Sequence, residues 1–518
     1  MNLALVFAIV FFAGFFWLTI IKAMHMFQLN SYKPATHGRW LRQNLSSLLP
    51  GLVGLVLAAV SLLLQDLYGW ILLELVYLTL LLLQRPKKAK KPLVYTMRVK
   101  RMLITLGVLF LLGVGAAVLF LDGGWQRLAI ATIGAVSPLL VLVANFINKP
   151  VEAAVNQYYI NDAKKLLKSH TGLTTIGVTG SYGKTSVKYI LHTLLQAEFD
   201  TLKTPESYNT PMGVVKTVRS DLRATHEVFV CEMGARHVGD IKELCEIAEP
   251  KLGIITSVGP QHLETFFSID NVKKTKFELA DALPADGTIF LNMEDANIRE
   301  HSKTVTKRIV GYGLSDTWDY YATDISASTK GTSFTVHTPK GECETFTTHL
   351  VGAHNVINIV GAIAVCCELG ISLEKLKLQV RKLEAVPHRL QLLRRGGITI
   401  IDDAYNANPT GANAAIDALS LFDGYRILVT PGMVELGAKQ DELNRAFGAY
   451  AVKACEYVIL VGRKQTASIY EGLISAGYPE ERIYVAEDLQ DAIARAYAVD
   501  SQGKEKIILL ENDLPDNF

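Results

Sequence analysis

Five long apolar runs dominate the first 150 residues of the chain. They lie at about residues 3–21, 47–64, 67–84, 102–121 and 127–147. Each is close to the ~20 residues that a helix needs to cross a bilayer, and almost no charged residue interrupts them. One such run could be a buried core helix, but five in succession could not be hidden in a soluble domain of this size. The pattern therefore predicts a membrane domain over residues 1–150 with five transmembrane helices.

Charges between these runs predict the orientation. The first and third loops are basic, with Lys22, Lys33, Arg39 and Arg42 in the first and Arg85, Lys87, Lys88, Lys90, Lys91, Arg98, Lys100 and Arg101 in the third. Because basic loops stay in the cytoplasm, a multi-pass protein of the plasma membrane is predicted, with its N-terminus outside and all residues after Lys149 in the cytoplasm. The third loop could also contact membrane lipids, although topology alone accounts for its charge.

The remainder of the chain alternates between β-type and helical patterns. A helix is predicted over 151–170, and strands follow at 174–178, 228–231, 253–258 and 288–291. This order is typical of a parallel sheet with crossover helices. Residues 308–350 alternate as antiparallel hairpins do, and a helix begins near His354. Strands near 398–402, 426–430, 456–461 and 506–510 predict a second α/β domain. The sequence thus predicts a central domain at 151–386 and a C-terminal domain at 387–518.

A small-residue turn lies between the strand Thr174–Val178 and an apolar-periodic helix that begins at Lys184. Strand, glycine turn and helix form the geometry that binds a phosphate through backbone N–H groups and the helix N-terminus. The candidate nucleotide-binding residues are Gly180, Ser181, Gly183, Lys184, Thr185 and Ser186. Lys184 would neutralise phosphate charge and Thr185 would offer a hydroxyl to Mg²⁺. Val178 stands where the strict Walker pattern has glycine, so an ordinary βα turn is the alternative.

Two further polar residues follow predicted strands. Glu232 ends one strand and His262 comes shortly after the next, so both could reach one site at the carboxyl edge of a parallel sheet. Lys276 lies on a helical run that follows. A hard cation near a triphosphate prefers carboxylate oxygen, which suggests Mg²⁺ on Thr185 and Glu232. Taken alone, a surface glutamate and a core histidine are equally good interpretations.

Composition excludes some classes of partner. The formal net charge of +2 indicates no polyanionic partner, and no nucleic acid is expected. The six cysteines all lie beyond residue 150 and form no C-x-x-C pair, so reduced cytosolic thiols are expected rather than a disulfide or zinc framework.

The region from about 172 to 510 resembles the Mur ligase family, which joins an amino acid or peptide to a carboxylate with ATP. It is most similar to the branch that adds D-alanyl-D-alanine to UDP-muramoyl-tripeptide. The matching segments are Thr179-Gly-Ser-Tyr-Gly-Lys-Thr-Ser186, Ser207-Tyr-Asn-Thr-Pro-Met-Gly213, Cys231-Glu-Met-Gly-Ala-Arg-His237, His262-Leu-Glu264, Thr275-Lys-Phe-Glu278, Asn292-Met-Glu-Asp295, Gly352-Ala-His-Asn355 with Asn358, Asp402-Asp-Ala-Tyr-Asn-Ala-Asn-Pro409 and Met433-Val-Glu-Leu-Gly437. They follow the order and the spacing of the family.

The resemblance implies roles for individual residues. Thr185 and Glu232 would hold a first Mg²⁺, and His262 and Lys276 a second, with Lys276 carbamylated as is usual at this position. The residues implied around the nucleotide base are Asn292, His354, Asn355 and Asn358. Arg389 resembles the arginine that reaches phosphate from the C-terminal domain. The residues implied to close over the nucleotide from that domain are Asp403, Tyr405, Asn406 and Asn408.

The resemblance also implies a reaction through an acyl phosphate, in which Lys184, His262, Lys276 and Arg389 are the catalytic residues. Two departures concern the substrates. The family's UDP-sugar-binding domain is replaced by the membrane region, and the branch's Lys-Gly-Ser segment is replaced by Leu510-Glu-Asn-Asp-Leu-Pro-Asp-Asn-Phe518. We therefore expect the amine donor to be an amino acid or dipeptide. The expected acceptor is a cell-envelope carboxylate on a lipid-linked precursor or a glycan, and the alternative is a soluble acceptor. An ATP-gated transporter and a non-catalytic scaffold are the competing hypotheses.

Overall fold

The computed structural model describes residues 3–84, 92–206, 208–328, 331–404, 408–434 and 436–513. These residues divide into two compact units, the first ending at Tyr158 and the second beginning at Tyr159. The division falls slightly after the predicted residue 150. The second unit is not divided further, so the boundary between its two domains near Pro387 stays a prediction.

The first unit is helical. Its helices are α1 Leu3–Leu29, α2 Pro34–Gln43, α3 Leu49–Val60, α4 Asp66–Leu83, α5 Met97–Phe120 and the larger part of α6 Gly123–Ser169, which continues into the second unit. By length and composition, four helices could cross a membrane, namely α1, α4, α5 and α6. The second apolar run instead forms α3 and a 3₁₀ turn, Ser61–Leu63, a segment shorter than the ~20 residues that a full span needs. Four helices of spanning length are therefore observed where five were expected.

Side-chain contacts show which loops of the first unit meet. Arg127, near the start of α6, pairs with Asp66 at the start of α4 over 2.5 Å, which joins the fourth loop to the second. At the other end, the Gln28 amide donates to the Val94 carbonyl over 2.9 Å, which joins the first loop to the third. The end of α1 and the segment just before α5 thus lie at one end of this unit.

The second unit contains two sheets. Its strands are β1 Thr174–Thr179, β2 Thr201–Lys203, β3 Val228–Glu232, β4 Leu252–Ile255, β5 Thr288–Asn292, β6 Arg308–Gly313, β7 Tyr320–Ser328, β8 Gly331–His337, β9 Cys343–Thr348, β10 Gln391–Arg395, β11 Ile398–Asp403, β12 Tyr425–Thr430, β13 Tyr457–Val461, β14 Ile483–Ala486 and β15 Lys506–Glu511. The first sheet has the order β2-β3-β1-β4-β5-β6-β7-β8-β9 and the second has the order β10-β11-β15-β12-β13-β14. In the first sheet, β1 to β7 pair in parallel, and the antiparallel pairing expected over 308–350 begins only between β7 and β8.

Helices cover both faces of the first sheet. The helices of the second unit are α7 Lys184–Leu195, α8 Pro211–Asp221, α9 Asp240–Ala248, α10 Leu263–Phe266, α11 Ile269–Ala282, α12 Ala296–Ser302, α13 Ala353–Glu368, α14 Leu373–Arg381, α15 Pro409–Ser420, α16 Gln440–Ala451, α17 Ala467–Ser475 and α18 Leu489–Ala498. Apolar residues of α7 and α13 share one buried cluster with Ile176 and Val178 of β1. Residues of α9 and α11 share a second cluster with Phe229 and Cys231 of β3. This packing fixes the carboxyl edge of the sheet, where β1, β3 and β4 end together.

Candidate nucleotide and metal site

The turn between β1 and α7 requires glycine at two positions. Gly180 and Gly183 have φ values of +153° and +79°, a region that side chains with a Cβ rarely adopt. A Cβ on Gly180 would lie 2.1 Å from Thr256 Oγ1, so the turn also packs too closely for any larger residue. The turn ends at the N-terminus of α7, where unpaired N–H groups attract an anion. The predicted strand, glycine turn and helix are present.

The segment after β4 braces this turn. The Ser181 N–H donates to the Ser257 carbonyl at 2.8 Å, and the Tyr182 N–H donates to Ser257 Oγ at 2.7 Å. The Ser181 hydroxyl is 3.0 Å from the backbone of Gly259. The predicted strand 253–258 is shorter in the structure, since β4 ends at Ile255 and Ser257 contacts the turn. Ser186 is half-buried in the first turn of α7.

Lys184 lies over the phosphate-binding turn. Its ammonium donates to the carbonyls of Gly180 and Ser181 at 2.8 and 3.1 Å. Burial lowers its pKa to about 8, Glu232 acts in the opposite direction, and Arg389 lowers it further. The amine is thus held at the turn, within electrostatic range of both charged groups.

Glu232 and Thr185 come together as predicted. The Thr185 hydroxyl donates to Glu232 Oε1 at 3.1 Å, and the Asn209 amide donates to the same oxygen at 3.1 Å. The pKa of Glu232 is lowered although burial opposes ionisation, because Lys188 and Lys184 are close. The carboxylate is therefore charged, which is the form that a cation needs.

Lys188 is the residue of this site that sequence reasoning missed. Its Nζ lies 2.9 Å from Glu232 Oε2, and the two side chains are 0% and 1% exposed. A signal was available, because Lys188 follows Lys184 by one helical turn and interrupts the apolar face of α7.

The oxygen donors of Thr185 and Glu232 fit Mg²⁺. A hydroxyl and an ionised carboxylate are hard ligands, and Mg²⁺ ordinarily completes its shell with water and phosphate oxygens. In the part of the chain that the structure describes, no three His, Cys, Asp or Glu residues converge as a protein-only metal centre. A site shared with a phosphate is consistent with both observations.

Lys276 is buried in α11, with 1% of its side chain exposed. Burial lowers its pKa well below the usual range, and the nearby charge of Lys184 lowers it further. A lowered pKa favours the neutral amine, which is the form that adds CO₂ to give a carbamate. His262 lies before α10 with φ of +51°, and its carbonyl accepts the Phe266 N–H at 3.0 Å. A second metal shared by His262 and Lys276 stays a prediction.

The four residues expected near the nucleotide base make different contacts in the structure. The side-chain amides of Asn292 and Asn355 donate to the carbonyls of Thr256 and Val351 at 2.8 and 2.9 Å. Asn358 borders the phosphate turn, since a Cβ on Gly183 would lie 3.1 Å from its Oδ1. Burial lowers the pKa of His354 to about 4, with Asp417 opposing this shift. Asn292 thus braces Thr256, while Asn358 lies against the turn itself.

Arg389 lies in the later part of the second unit, and its positive charge lowers the pKa of both Lys184 and Lys188. Asp403 accepts the Leu390 N–H at 3.1 Å, and burial raises its pKa to about 7. Asn408 Oδ1 caps α15 by accepting the Gly411 N–H at 2.8 Å. The predicted residues Tyr405 and Asn406 lie outside the described residues.

A glycine turn between a strand and a helix of a mostly parallel sheet, with a threonine and a carboxylate beside it, is typical of α/β proteins that bind nucleotides. Residues 178–366 match the model of the Mur ligase middle domain, and residues 388–510 match that of the Mur ligase glutamate ligase domain. The chain belongs to the Mur ligase family. The expected fold class, an apolar helical region followed by α/β central and C-terminal domains, is confirmed.

Named relatives support this assignment. The chain is 34% identical over 281 residues to the UDP-N-acetylmuramoyl-tripeptide–D-alanyl-D-alanine ligase of Bacillus subtilis, covering 54% of this chain and 60% of that protein. It is 30% identical over 337 residues to the ligase of the same name from Escherichia coli, covering 62% and 74%. The crystal structure of the MurF ligase of Thermotoga maritima in complex with ADP has a TM-score of 0.62 and 25% identity, covering 69% and 80%. The chain thus matches less than two thirds of the Bacillus relative's length.

Proposed function

We propose that this protein is a membrane-anchored, ATP-dependent ligase that forms an amide bond through an acyl phosphate. The observation that carries the proposal is the contact between Thr185 and Glu232 beside the turn on which Lys184 lies. These groups suit a Mg²⁺–triphosphate complex, and the family assignment adds the ligase chemistry.

In the proposed reaction, a carboxylate of the acceptor attacks the γ-phosphate of ATP, and ADP leaves. The amine of the donor then attacks the acyl phosphate, so that an amide forms and phosphate leaves with loss of one proton from the amine. The turn amides and Lys184 stabilise the charge of the phosphates. Thr185 and Glu232 would hold Mg²⁺, which supplies further charge neutralisation when bound. Arg389 would add a positive charge from the C-terminal side.

The roles of Lys276 and His262 belong to the same proposal. A carbamate on Lys276 would supply an anionic oxygen that an ammonium cannot, and His262 would share the second cation. The lowered pKa of the buried Lys276 amine supports this chemistry.

We further propose that the donor is an amino acid or dipeptide and that the acceptor is a lipid-linked cell-envelope precursor. Four helices of spanning length support a membrane location. Large apolar side chains on these helices are exposed, including Leu82, Leu119, Phe120 and Phe146 at 69%, 78%, 81% and 77%. Such a surface suits lipid contact. A soluble UDP-linked acceptor would need no such region.

The full-length protein in detergent tests this proposal through ATP-dependent release of phosphate. It is incubated with D-alanyl-D-alanine or single amino acids, together with either membrane lipid extract or soluble UDP-muramoyl peptides. Phosphate release and a product of increased mass are expected only with the lipid extract. Efficient turnover of the soluble peptides would refute the lipid-linked acceptor, and absence of ATP turnover with every pair would refute the ligase.

Lys276→Ala tests the carbamate. Activity should fall by about 10²-fold or more because a metal ligand is lost, and a short carboxylate added in solution should restore part of it. Lys274→Ala is the matched control, since Lys274 is exposed on the same helix. Full activity of Lys276→Ala without added carboxylate would contradict the carbamate.

A further inference from the structure

Arg98 lies at the end of the first unit where the two basic loops meet, and it is held there by uncharged neighbours. Its Nη2 donates to Asn145 Oδ1 at 3.1 Å, and its Cζ lies 4.0 Å from the ring centroid of Tyr32. Its Nε is buried and has no hydrogen-bond partner among the described residues. The guanidinium is therefore oriented, and among the described residues it uses one of its two ends for a hydrogen bond while Nε makes none.

Acidic residues that could neutralise Arg98 are scarce in this part of the chain. Residues 1–158 contain only Asp66, Glu74, Asp122 and Glu152. Asp66 pairs with Arg127 at the opposite end of the unit, and Glu152 is taken by Arg101 at 2.7 Å. No carboxylate within the described ranges pairs with Arg98. A half-buried cation without a counter-ion costs free energy, which an anion from outside the chain would offset.

A second buried polar group lies in the same side-chain cluster. His37 is 0% exposed, and its Nε2 has no hydrogen-bond partner among the residues described. The Phe27 ring connects the two groups, because its centroid lies 5.0 Å from that of His37 and 5.6 Å from that of Tyr32. The cluster thus contains two side chains, Arg98 and His37, each with a buried nitrogen that makes no hydrogen bond to the described residues. Ordinary surface arginines instead extend into water.

We propose that Arg98, held by Tyr32 and Asn145, binds the phosphate group of a membrane lipid at the end of the first unit that carries the basic loops. The planar fork of arginine matches two phosphate oxygens, and stacking on Tyr32 leaves its N–H groups available. The inference rests on the proposed membrane location. The phosphate belongs either to a bulk anionic phospholipid or to the lipid carrier of the acceptor. Both sources present the same group to Arg98.

The simplest competing explanation is the diffuse field of the basic loops, which would attract any anionic lipid without a built site. Lys100 separates the two explanations. It carries the same charge two residues along α5, and its side chain is exposed. A diffuse field predicts equal effects of Arg98→Gln and Lys100→Gln, whereas a built site predicts an effect of Arg98→Gln alone.

The test is native mass spectrometry of the full-length protein in detergent, titrated with dioctanoyl-phosphatidylglycerol, farnesyl diphosphate or dioctanoylglycerol. The two phosphate probes should bind, and dioctanoylglycerol, which has no phosphate, should not. Arg98→Gln should weaken binding about ten- to hundredfold, as expected for lost hydrogen bonds between charged groups, and Lys100→Gln should change it by less than about threefold. Tighter binding of phosphatidylglycerol identifies a bulk lipid, and tighter binding of the diphosphate identifies a lipid carrier.

Two further variants separate positioning from charge. Asn145→Ala keeps the charge but releases the guanidinium, and Arg98→Lys keeps the charge but removes the fork, so each should weaken binding severalfold. If Arg98→Gln does not fold, these two variants still test the proposal. Equal losses in Arg98→Gln and Lys100→Gln, or equal binding of dioctanoylglycerol, would overturn the proposal. Binding of an ATP analogue is measured on the same samples, so failure of the ligase function is seen separately.

Discussion

Replacing Lys188 with methionine should strongly destabilise the second unit. The substitution removes the ammonium that lies 2.9 Å from Glu232 Oε2 and keeps a side chain of similar length. Since both side chains are at most 1% exposed, the carboxylate would be left buried without its principal partner. Breaking a buried pair in this way typically costs about 3–5 kcal/mol. At about 2.1 cal/mol/K of unfolding entropy per residue, a unit of roughly 350 residues should lose about 4–7 °C in Tm for this cost.

The pH dependence of this effect follows from Glu232. In the wild-type protein its pKa is lowered, so its contribution to stability is present above its unfolded pKa and is lost as pH falls through the folded one. Lys188→Met removes the largest influence that opposes burial, so the pKa of Glu232 rises. The carboxyl can then take up a proton under mildly acidic conditions. The difference in Tm between wild type and variant should therefore be largest near pH 8 and smaller near pH 5.

Differential scanning fluorimetry of the full-length protein in detergent measures this difference. Lys168→Met is the matched control, because Lys168 pairs with Glu249 over 3.4 Å while 66% exposed. Loss of such an exposed pair is expected to cost less than about 1 kcal/mol. A Tm loss no larger than that of Lys168→Met, or one that is equal at pH 5 and pH 8, would show that the buried pair does not stabilise the fold as argued.

Three other outcomes are expected. Gly180→Ala should lower the affinity for a fluorescent ATP analogue about ten- to hundredfold because of backbone strain and the clash with Thr256, whereas Gly172→Ala, which has open space around it, should not; equal affinities would contradict the strained turn. Burial raises the pKa of Glu511 to about 8, so wild-type Tm should fall as pH rises from about 4.5 to 8, and Glu511→Gln should flatten that profile. An unchanged slope of Tm against pH in Glu511→Gln would show that the pH dependence comes from other groups. A cysteine placed between Lys87 and Lys91 should be protected from an impermeant reagent in intact cells if the basic loops are cytoplasmic, and labelling there would reverse the orientation.

The local elements could be predicted from the sequence because their patterns are short. The turn before Lys184 needs only glycines at fixed positions and a following helical period, and β1 and α7 formed where that pattern predicted. Apolar runs likewise predicted the long helices α1, α4, α5 and α6. The family motifs predicted Thr185 and Glu232 as a pair, and these residues are in contact.

Tertiary structure decided which distant groups meet, since no local pattern sets the order of strands. Glu232 reaches Thr185 because β3 lies beside β1, with Val178 opposite Glu232 in the register. The same arrangement buries Lys188 against Glu232, although the sequence of α7 alone permits an exposed lysine there. In the first unit, composition could not show that the run at 47–64 forms only a short helix, or that Arg98 lies beside Tyr32 and Asn145. Those outcomes depend on how helices that are far apart in the sequence pack together. Several packing arrangements bury the same hydrophobic pattern equally well, and side-chain volume and the pairing of buried charges decide between them.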